Sequence, residues 1–515
     1  MKKKLFKSTL TVGIFTLLSR IAGFLRDIVL AKTFGSTMYM EAFLVAFKIP
    51  NFMRRLFAEG SFTQAFVPVL ADYKSNNNHN ELINFIRTVI GVLGVSLIIL
   101  TSISMVCSST IVIIFAPGFL SHPEKLNLAA NMLVITFPYI FSIALVALSG
   151  SIMNCFSKFS VPAFTPVLLN ITLIIFAHYS EAFSIPIYSI AWAVFTAGFI
   201  QLIFQIPFLL KLNISIIPRY SWKHPGVKKL LKLMIPAVFG ASVAQISLLL
   251  DTIFASFLPT GSISWLYYSD RLNQFPLGVF GIALSTVILP HLSTEFSKKN
   301  ILGYERSVTW AIKMVLIFAI PAAIGLIILS APLLITLFNY GKFSTYDVIQ
   351  TQDTLIAFSF GLFSFILIKV LVSVFYSRHN FKTPVKIAIF ALFCNFCLNL
   401  ILINILKKYQ LGHVGLAIST SISAFINVAL LLKSLVKQKI YIPKLNSRFT
   451  IRLIISNLIM AVILYSLMGY NEQWFKASFS ERTIWLLVLI LTGFTTYMLS
   501  LFILGFRKKD LQPNF

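Results

Sequence analysis

The sequence predicts an all-α polytopic membrane protein with fourteen transmembrane helices, and three observations lead there. Hydrophobic residues make up 57% of the 515 and charged residues only 11%, where soluble domains carry about 45–50% and 25%. The apolar residues gather in long runs between polar or Pro/Gly breaks. The charge is one-sided, with 43 Lys and Arg against 16 Asp and Glu, a formal +27. A membrane helix needs about 20 apolar residues, so this content fills roughly fourteen spans. Little is left for a soluble domain, which excludes a water-soluble enzyme, a secreted disulfide scaffold and a disordered tail.

The first run, 8–32, follows Lys2, Lys3 and Lys4, lacks a small-residue cleavage site and continues through Arg20, so it reads as an uncleaved span. The second, 38–71, is too long for one straight span and contains Pro50, which predicts a tilted or broken helix. Runs at 84–115, 126–154, 159–179 and 186–210 complete a first set of six. A second six lies at 230–258, 263–292, 307–337, 346–376, 383–406 and 411–432, and two more follow at 448–470 and 483–506. With a cytoplasmic N-terminus, 29 Lys and Arg fall in inner loops and 7, including Lys125 and Arg482, on the outer side. That asymmetry favours both termini inside and accounts for most of the +27 without nucleic acid.

The two sets of six repeat one another. Val112 to Phe119, ending Ala116-Pro117-Gly118-Phe119, is followed about 36 residues on by Asn154 to Pro162 and a span bearing Asn170. Thr336 to Phe343 is followed at a similar interval by Phe375 to Pro384 and a span with Asn395 and Asn399. Lys48 to Phe52 with Pro68 echoes Arg271 to Phe275 with Pro290. The expected organisation is an N-lobe at 1–211, a basic linker at 212–229, a C-lobe at 230–440 and a C-terminal two-helix hairpin at 441–515. An even number of spans per copy makes the repeats parallel, a transporter pattern that places a substrate site where the repeats meet. The linker reads equally as a basic segment lying on the inner leaflet and as a plain positive-inside loop.

Ionisable residues at membrane depth cost about 2.5–3.5 kcal/mol each, so they are functional candidates. The first two spans hold Arg20, Arg26, Asp27, Glu41, Lys48, Arg54, Arg55 and Glu59; the seventh and eighth hold Asp251, Asp270 and Arg271; the tenth holds Lys369. Arg20 and Asp27, seven apart, share a helix face. Glu41, Lys48, Arg55 and Glu59 form one stripe if their helix is continuous. Ion pairs that merely join helices, such as Lys48 with Glu41, explain any single pair equally well. For the set, seven cations against six acids, with Asp353 at the outer end the sixth, leave a small positive excess. Arginine's planar fork matches phosphate oxygens, so the cluster favours a phosphorylated anionic substrate.

Enzyme chemistry finds no support. The seven His lie in loops or at span ends without metal-ligand spacing, there is no Walker A or GxSxG sequence, and Cys394-x-x-Cys397 sits in an apolar run with no His nearby. No catalytic residue, metal or cofactor is expected.

These residues resemble a known family. Ser19 to Asp27, Ala42 to Asn51, Arg54-Arg55-x-Phe57-Ala58-Glu59-Gly60, Gln64 to Pro68, Tyr267-Tyr268-x-Asp270-Arg271 and Tyr340 to Phe343 are similar to the MurJ (MviN) lipid II flippases, over essentially the whole chain. The resemblance implies the multidrug/oligosaccharidyl-lipid/polysaccharide exporter fold, with the last two helices forming a groove for an undecaprenyl tail. It also implies transport of lipid II from inner to outer leaflet by alternating access. Transport roles then fall to Arg20, Arg26, Asp27, Glu41, Lys48, Arg54, Arg55, Glu59, Asp270 and Arg271, and coupling or gating roles to Asp251, Gln274 and Lys369. Glu41 stands where Asp is usual, and Gln274 where Glu is common, which argues against a scheme needing an acid one turn after Asp270. The expected partners are lipid II and membrane lipids, with no nucleic acid, in a monomer of the bacterial inner membrane driven by membrane potential or an ion gradient. A cation-coupled drug exporter of the same fold would want an acid-rich cavity, which the arginines oppose. A membrane-embedded lipid-modifying transferase is the alternative of another class.

Overall fold

The computed structural model describes residues 2–55, 62–75, 79–214, 217–438, 440 and 447–507, and every regular element among them is helical. The chain divides into two compact units, residues 1–261 and 262–515.

The first unit contains α1 (Lys2–Phe34), α2 (Met38–Met53), α3 (Thr63–Ser75), α4 (His79–Val106), α5 (Ser108–Phe115), α6 (Pro123–Thr136), α7 (Tyr139–Cys155), α8 (Ser160–His178), α9 (Tyr188–Leu210) and α10 (Pro225–Ser256). α1 stops where Gly35, at φ 63°, takes the left-handed position that glycine enters without a Cβ penalty, and its N–H bonds back to Ala31. Thr37 then caps α2, its hydroxyl accepting the Met40 N–H. α2 continues through Pro50 to Met53 and α3 begins at Thr63, with residues 56–61 of the 38–71 run outside the described residues. The core joins α3, α4, α7 and α10 through Phe66, Val69, Phe85, Leu148 and Val227. Within it Phe62, Phe66, Phe85 and Tyr73 form a stacked series of rings. α1 packs on α8, and α2 on α6. By contact α10 belongs to this unit, lying on α3 and on the 3-10 turn at Pro117–Ser121, although the sequence repeat opens its second half at residue 230. His224 caps α10 by accepting the Gly226 N–H at 3.2 Å. Burial and then the Arg219 charge hold its imidazole below the ordinary 6.5, which keeps it neutral at pH 7 and able to accept.

The second unit contains α11 (Ser262–Pro276), α12 (Ile282–Ser297), α13 (Ile301–Ile328), α14 (Ser330–Phe338), α15 (Thr345–Tyr376), α16 (Lys382–Leu406), α17 (Gly412–Lys437), α18 (Ser447–Met468), α19 (Asn471–Lys476) and α20 (Phe479–Ile503). A π-helical segment, Leu277–Gly281, joins α11 to α12. Leu362, Ile366, Val370 and Val374 make a fourfold-spaced apolar stripe on α15, which packs on α13 and α17. Capping boxes start α15 (Ser344 with Asp347) and α20 (Ser478 with Glu481). The α18–α20 hairpin is bonded to its unit: Tyr497 donates to the Ile317 carbonyl of α13 at 2.8 Å, and Arg482 to the Phe475 carbonyl at 2.8 Å and the Ile335 carbonyl of α14 at 3.5 Å. Arg482 is therefore a buried fastener of the hairpin, where the sequence places it in an outer loop.

Each apolar run of the sequence corresponds to one helix or a broken pair. Eleven helical segments are long and apolar enough to cross a membrane. The other three runs correspond to α1, to α2 with α3, and to α10, which carry Arg20, Arg26 and Asp27, then Glu41, Lys48 and Arg54, then Asp251. The internal orders of the two units correspond as well: a 28-residue α4 leads into an 8-residue α5, and a 28-residue α13 into a 9-residue α14.

Candidate functional site

The charged residues of α1 are built into the joint between α1 and α8. Arg26 curls back on its neighbour, its Nε and Nη2 donating to Asp27 Oδ1 at 2.9 and 2.6 Å, and its Nη1 donates to Asn170 Oδ1 of α8 at 3.0 Å. Asn170 is fixed in turn by donating to the carbonyls of Ser19 (3.2 Å) and Pro166 (3.3 Å). Arg26 and Asp27 are both buried. A buried ion pair survives when further hydrogen bonds satisfy its lone pairs and protons, and here Asn170 supplies one. The sequence marks Asn170 only as a feature of the repeat; its role depends on a contact 144 positions away. Arg20 is half-buried one helical face along from Asp27 and makes no ion pair among the described residues.

A second cluster joins α2, α6 and the end of the unit. The Glu41 carboxylate, 1% exposed, accepts from Lys125 Nζ and, at 2.8 Å, from the Gly261 N–H. The Lys125 ammonium also lies 4.5 Å from the centre of the Phe119 ring, a cation–π contact. The sequence offers Lys48 as one ion-pair partner for Glu41 and counts Lys125 on the outer side; the structure adds Lys125, buried in the first turn of α6 against Glu41. The physical reason is reach, since α2 packs directly on α6. Of the stripe expected for a continuous helix, Glu41 is buried, Lys48 half-buried and Arg55 exposed, and Glu59 lies outside the described residues.

Arg54, just past the end of α2, donates its Nε to Asn51 Oδ1 at 3.2 Å. Asp251, on α10, is half-buried.

In the second unit Asp270 accepts a hydrogen bond from the Gln274 amide one turn further along α11. The Arg271 guanidinium lies 6.0 Å from the centre of the Tyr267 ring. Gln274 and Lys369 are exposed side chains of α11 and α15. A glutamine at 274 therefore does something a glutamate does not at neutral pH: it donates to the Asp270 carboxylate rather than repelling it. The sequence shows no sign of the buried polar group formed by Trp265, which donates to Asp347 at 2.9 Å, and His413, whose ring is tilted against that of Trp265 with centres 4.8 Å apart.

A family model described as Lipid II flippase MurJ matches residues 30–485. The chain belongs to the MurJ family. It is 43% identical to the probable lipid II flippase MurJ of Vibrio cholerae, over 99% of this chain and 98% of that one, and 41% identical to that of Buchnera aphidicola from Acyrthosiphon pisum, over 98% of each. A solved structure of lipid II flippase MurJ in an inward closed conformation shares 30% identity and superposes with a TM-score of 0.80, covering 96% of this chain and 98% of that one. A multidrug transporter of the MATE family in its inward-facing conformation, 15% identical, superposes at 0.64 over 84% of this chain and 98% of its own, so the two share a fold.

Arg26 thus pairs with Asp27 within the first unit, Arg54 donates to Asn51, and Arg20 makes no ion pair among the described residues. Arginines meet phosphate oxygens through parallel N–H donors, and a carboxylate already bound to one of them occupies the place an anionic oxygen would take.

Proposed function

We infer that this chain is a transporter that moves lipid II, an undecaprenyl diphosphate-linked peptidoglycan precursor, from the inner to the outer leaflet of the bacterial inner membrane by alternating access. The observation that carries this reading is the buried Arg26–Asp27 pair, fastened by Asn170, in the first unit of a MurJ family chain that also bears Arg20 and Arg54. The diphosphate is the natural guest for these arginines. Asp27 acts as an internal counter-ion: it holds Arg26 while no substrate is present and yields it to a phosphate oxygen. Asn170 keeps the guanidinium in place. Fourteen spans in two parallel sets of six plus a hairpin are supported by the match of each apolar run to a helix or broken helix pair, and by the shared internal order of the two units. Both termini lie in the cytoplasm, supported by the excess of basic residues in the loops of that side.

Membrane potential supplies the drive. A lipid diphosphate carries about two negative charges, and each charge crossing an inside-negative membrane is worth about 2.3 kcal/mol per 100 mV, favourable outward for an anion. The empty, positive site is drawn back inward by the same field. The test is replacement of the resident flippase in cells by this chain, with measurement of lipid II in the outer leaflet by an impermeant label and of its mass. Rescued growth with chemically unchanged lipid II at the outer face is expected. A mass change in the precursor would favour the transferase reading, and failure to place lipid II outside would reject the substrate.

A further inference from the structure

The linker between α9 and α10 offers a binding site of its own. From 211 to 232 the chain has six Lys and Arg and no acid. Part of it is fastened to α4 rather than loose. The Arg219 N–H donates to the Arg87 carbonyl at 3.0 Å, Arg87 Nε donates back to the Ile217 carbonyl at 2.9 Å, and Arg219 Nη1 donates to Asn84 Oδ1 at 2.9 Å. Gly91 permits the approach, since a Cβ there would collide with the Arg219 backbone. The segment so held turns its large apolar groups outward: Ile217 is 61% exposed, Tyr220 58% and Trp222 44%, with Tyr220 and Trp222 hydrogen-bonded edge to face. Arg219 and Lys223 are exposed between and beside them.

The depth of this segment follows from α4. Beyond Arg87, residues 88–106 contain no charged side chain. At 1.5 Å per residue these nineteen residues span about 28 Å, close to the hydrocarbon thickness of roughly 30 Å. Arg87 therefore marks the hydrocarbon edge, and the segment bonded to it lies at the headgroup level. Tyr and Trp favour that level because one end of the ring is apolar and the other polar. Anionic headgroups there attract Lys and Arg.

We propose that residues 217–223 form a headgroup-level site for an anionic phospholipid, with Arg219 and Lys223 on the phosphate and Ile217, Tyr220 and Trp222 among the upper acyl chains. The site goes beyond transport of lipid II and rests only on the chain being inserted in a bilayer. It ties the start of α10 to the membrane surface, because the same segment leads through His224 into that helix.

The experiment uses the full chain in phosphatidylcholine liposomes containing a small fraction of either brominated phosphatidylglycerol or brominated phosphatidylcholine. The Trp222 contribution to quenching is taken as the difference between wild type and Trp222→Phe. The remaining tryptophans report insertion independently. The expected result is stronger quenching of Trp222 by the anionic lipid than by the zwitterionic one, with the excess reduced by salt. Each of Arg219→Gln and Lys223→Gln lowers anionic enrichment about fivefold, the equivalent of ~1 kcal/mol per cation. Arg219→Lys with Lys223→Arg, which keeps the charge, retains it. Equal quenching by both lipids overturns the proposal, and so does Trp222 escaping quenching while the other tryptophans are quenched, the result for a segment covered by protein or standing in water.

Discussion

Replacing Lys125 with Met isolates what the buried Glu41–Lys125 pair does. Methionine keeps most of the side-chain volume against Phe119 but leaves Glu41, 1% exposed, with the Gly261 N–H as the partner that remains of its two described donors. Removing one partner of a buried pair costs about 3–5 kcal/mol. The carboxylate has an escape, because it can take up a proton. At pH 7 that costs an ordinary glutamate, with a pKa of about 4.3, roughly 3.7 kcal/mol. The loss in Lys125→Met is therefore bounded near ~4 kcal/mol and shrinks by about 1.4 kcal/mol for each unit by which the pH is lowered. The sign follows from proton uptake: the variant's folded state binds a proton that the wild type does not, so acid favours the variant relative to the wild type. Adding Glu41→Gln removes the carboxylate charge that Lys125 balances and should restore most of the loss. The assay is thermal unfolding of purified protein in detergent at pH 7.5 and 5.5, where the single variant should melt about 5–10 °C lower at the higher pH, with the gap narrowing at the lower. A single variant as stable as wild type, or a double variant no better than the single, would refute the claim that Lys125 neutralises Glu41.

Three further outcomes follow. Asn170→Leu removes the acceptor for Arg26 Nη1 and the tie to Ser19, and should lower transport at least tenfold with a smaller loss in melting temperature; unchanged transport would make Asn170 a packing residue only. Lys replacements at Arg20, Arg26, Arg54 or Arg271 should insert normally yet fail to restore full transport, because lysine lacks the two-pronged fork; wild-type rates in these variants would remove the arginines from substrate binding. Gln274→Glu places a second carboxylate where the amide now donates to Asp270, so transport should fall at pH 8 and recover toward pH 5 as one carboxyl protonates; a flat pH profile identical to wild type would show that this contact does not matter.

The helices were legible because each apolar run is long and its breaks are chemically explicit. The 38–71 run was visibly too long for one straight span, and α2 continues through Pro50 to Met53. Charged residues in the first two spans stood out because hydrocarbon tolerates so few of them. What each charge touches was not legible. Lys125 and Arg482 flank apolar runs and so count as loop charges in any one-dimensional reading, yet packing carries both into buried positions. Asn170 acts through partners on another helix, a relation that helical periodicity within one segment does not encode. The Arg219–Arg87 contact depends on Gly91, one small residue in a run of ordinary helix sequence.

Translocation of lipid II by the purified chain in liposomes, with potential imposed by a potassium gradient and valinomycin while pH and sodium are equal on both sides, tests the central claim most directly. The account predicts that lipid II crosses to the positive side, that the rate rises with the imposed potential, and that Arg26→Lys in otherwise intact protein abolishes the rise. Transport indifferent to potential and restored only by a proton or sodium gradient would contradict the electrical drive, and no crossing of lipid II under any gradient would contradict the function itself.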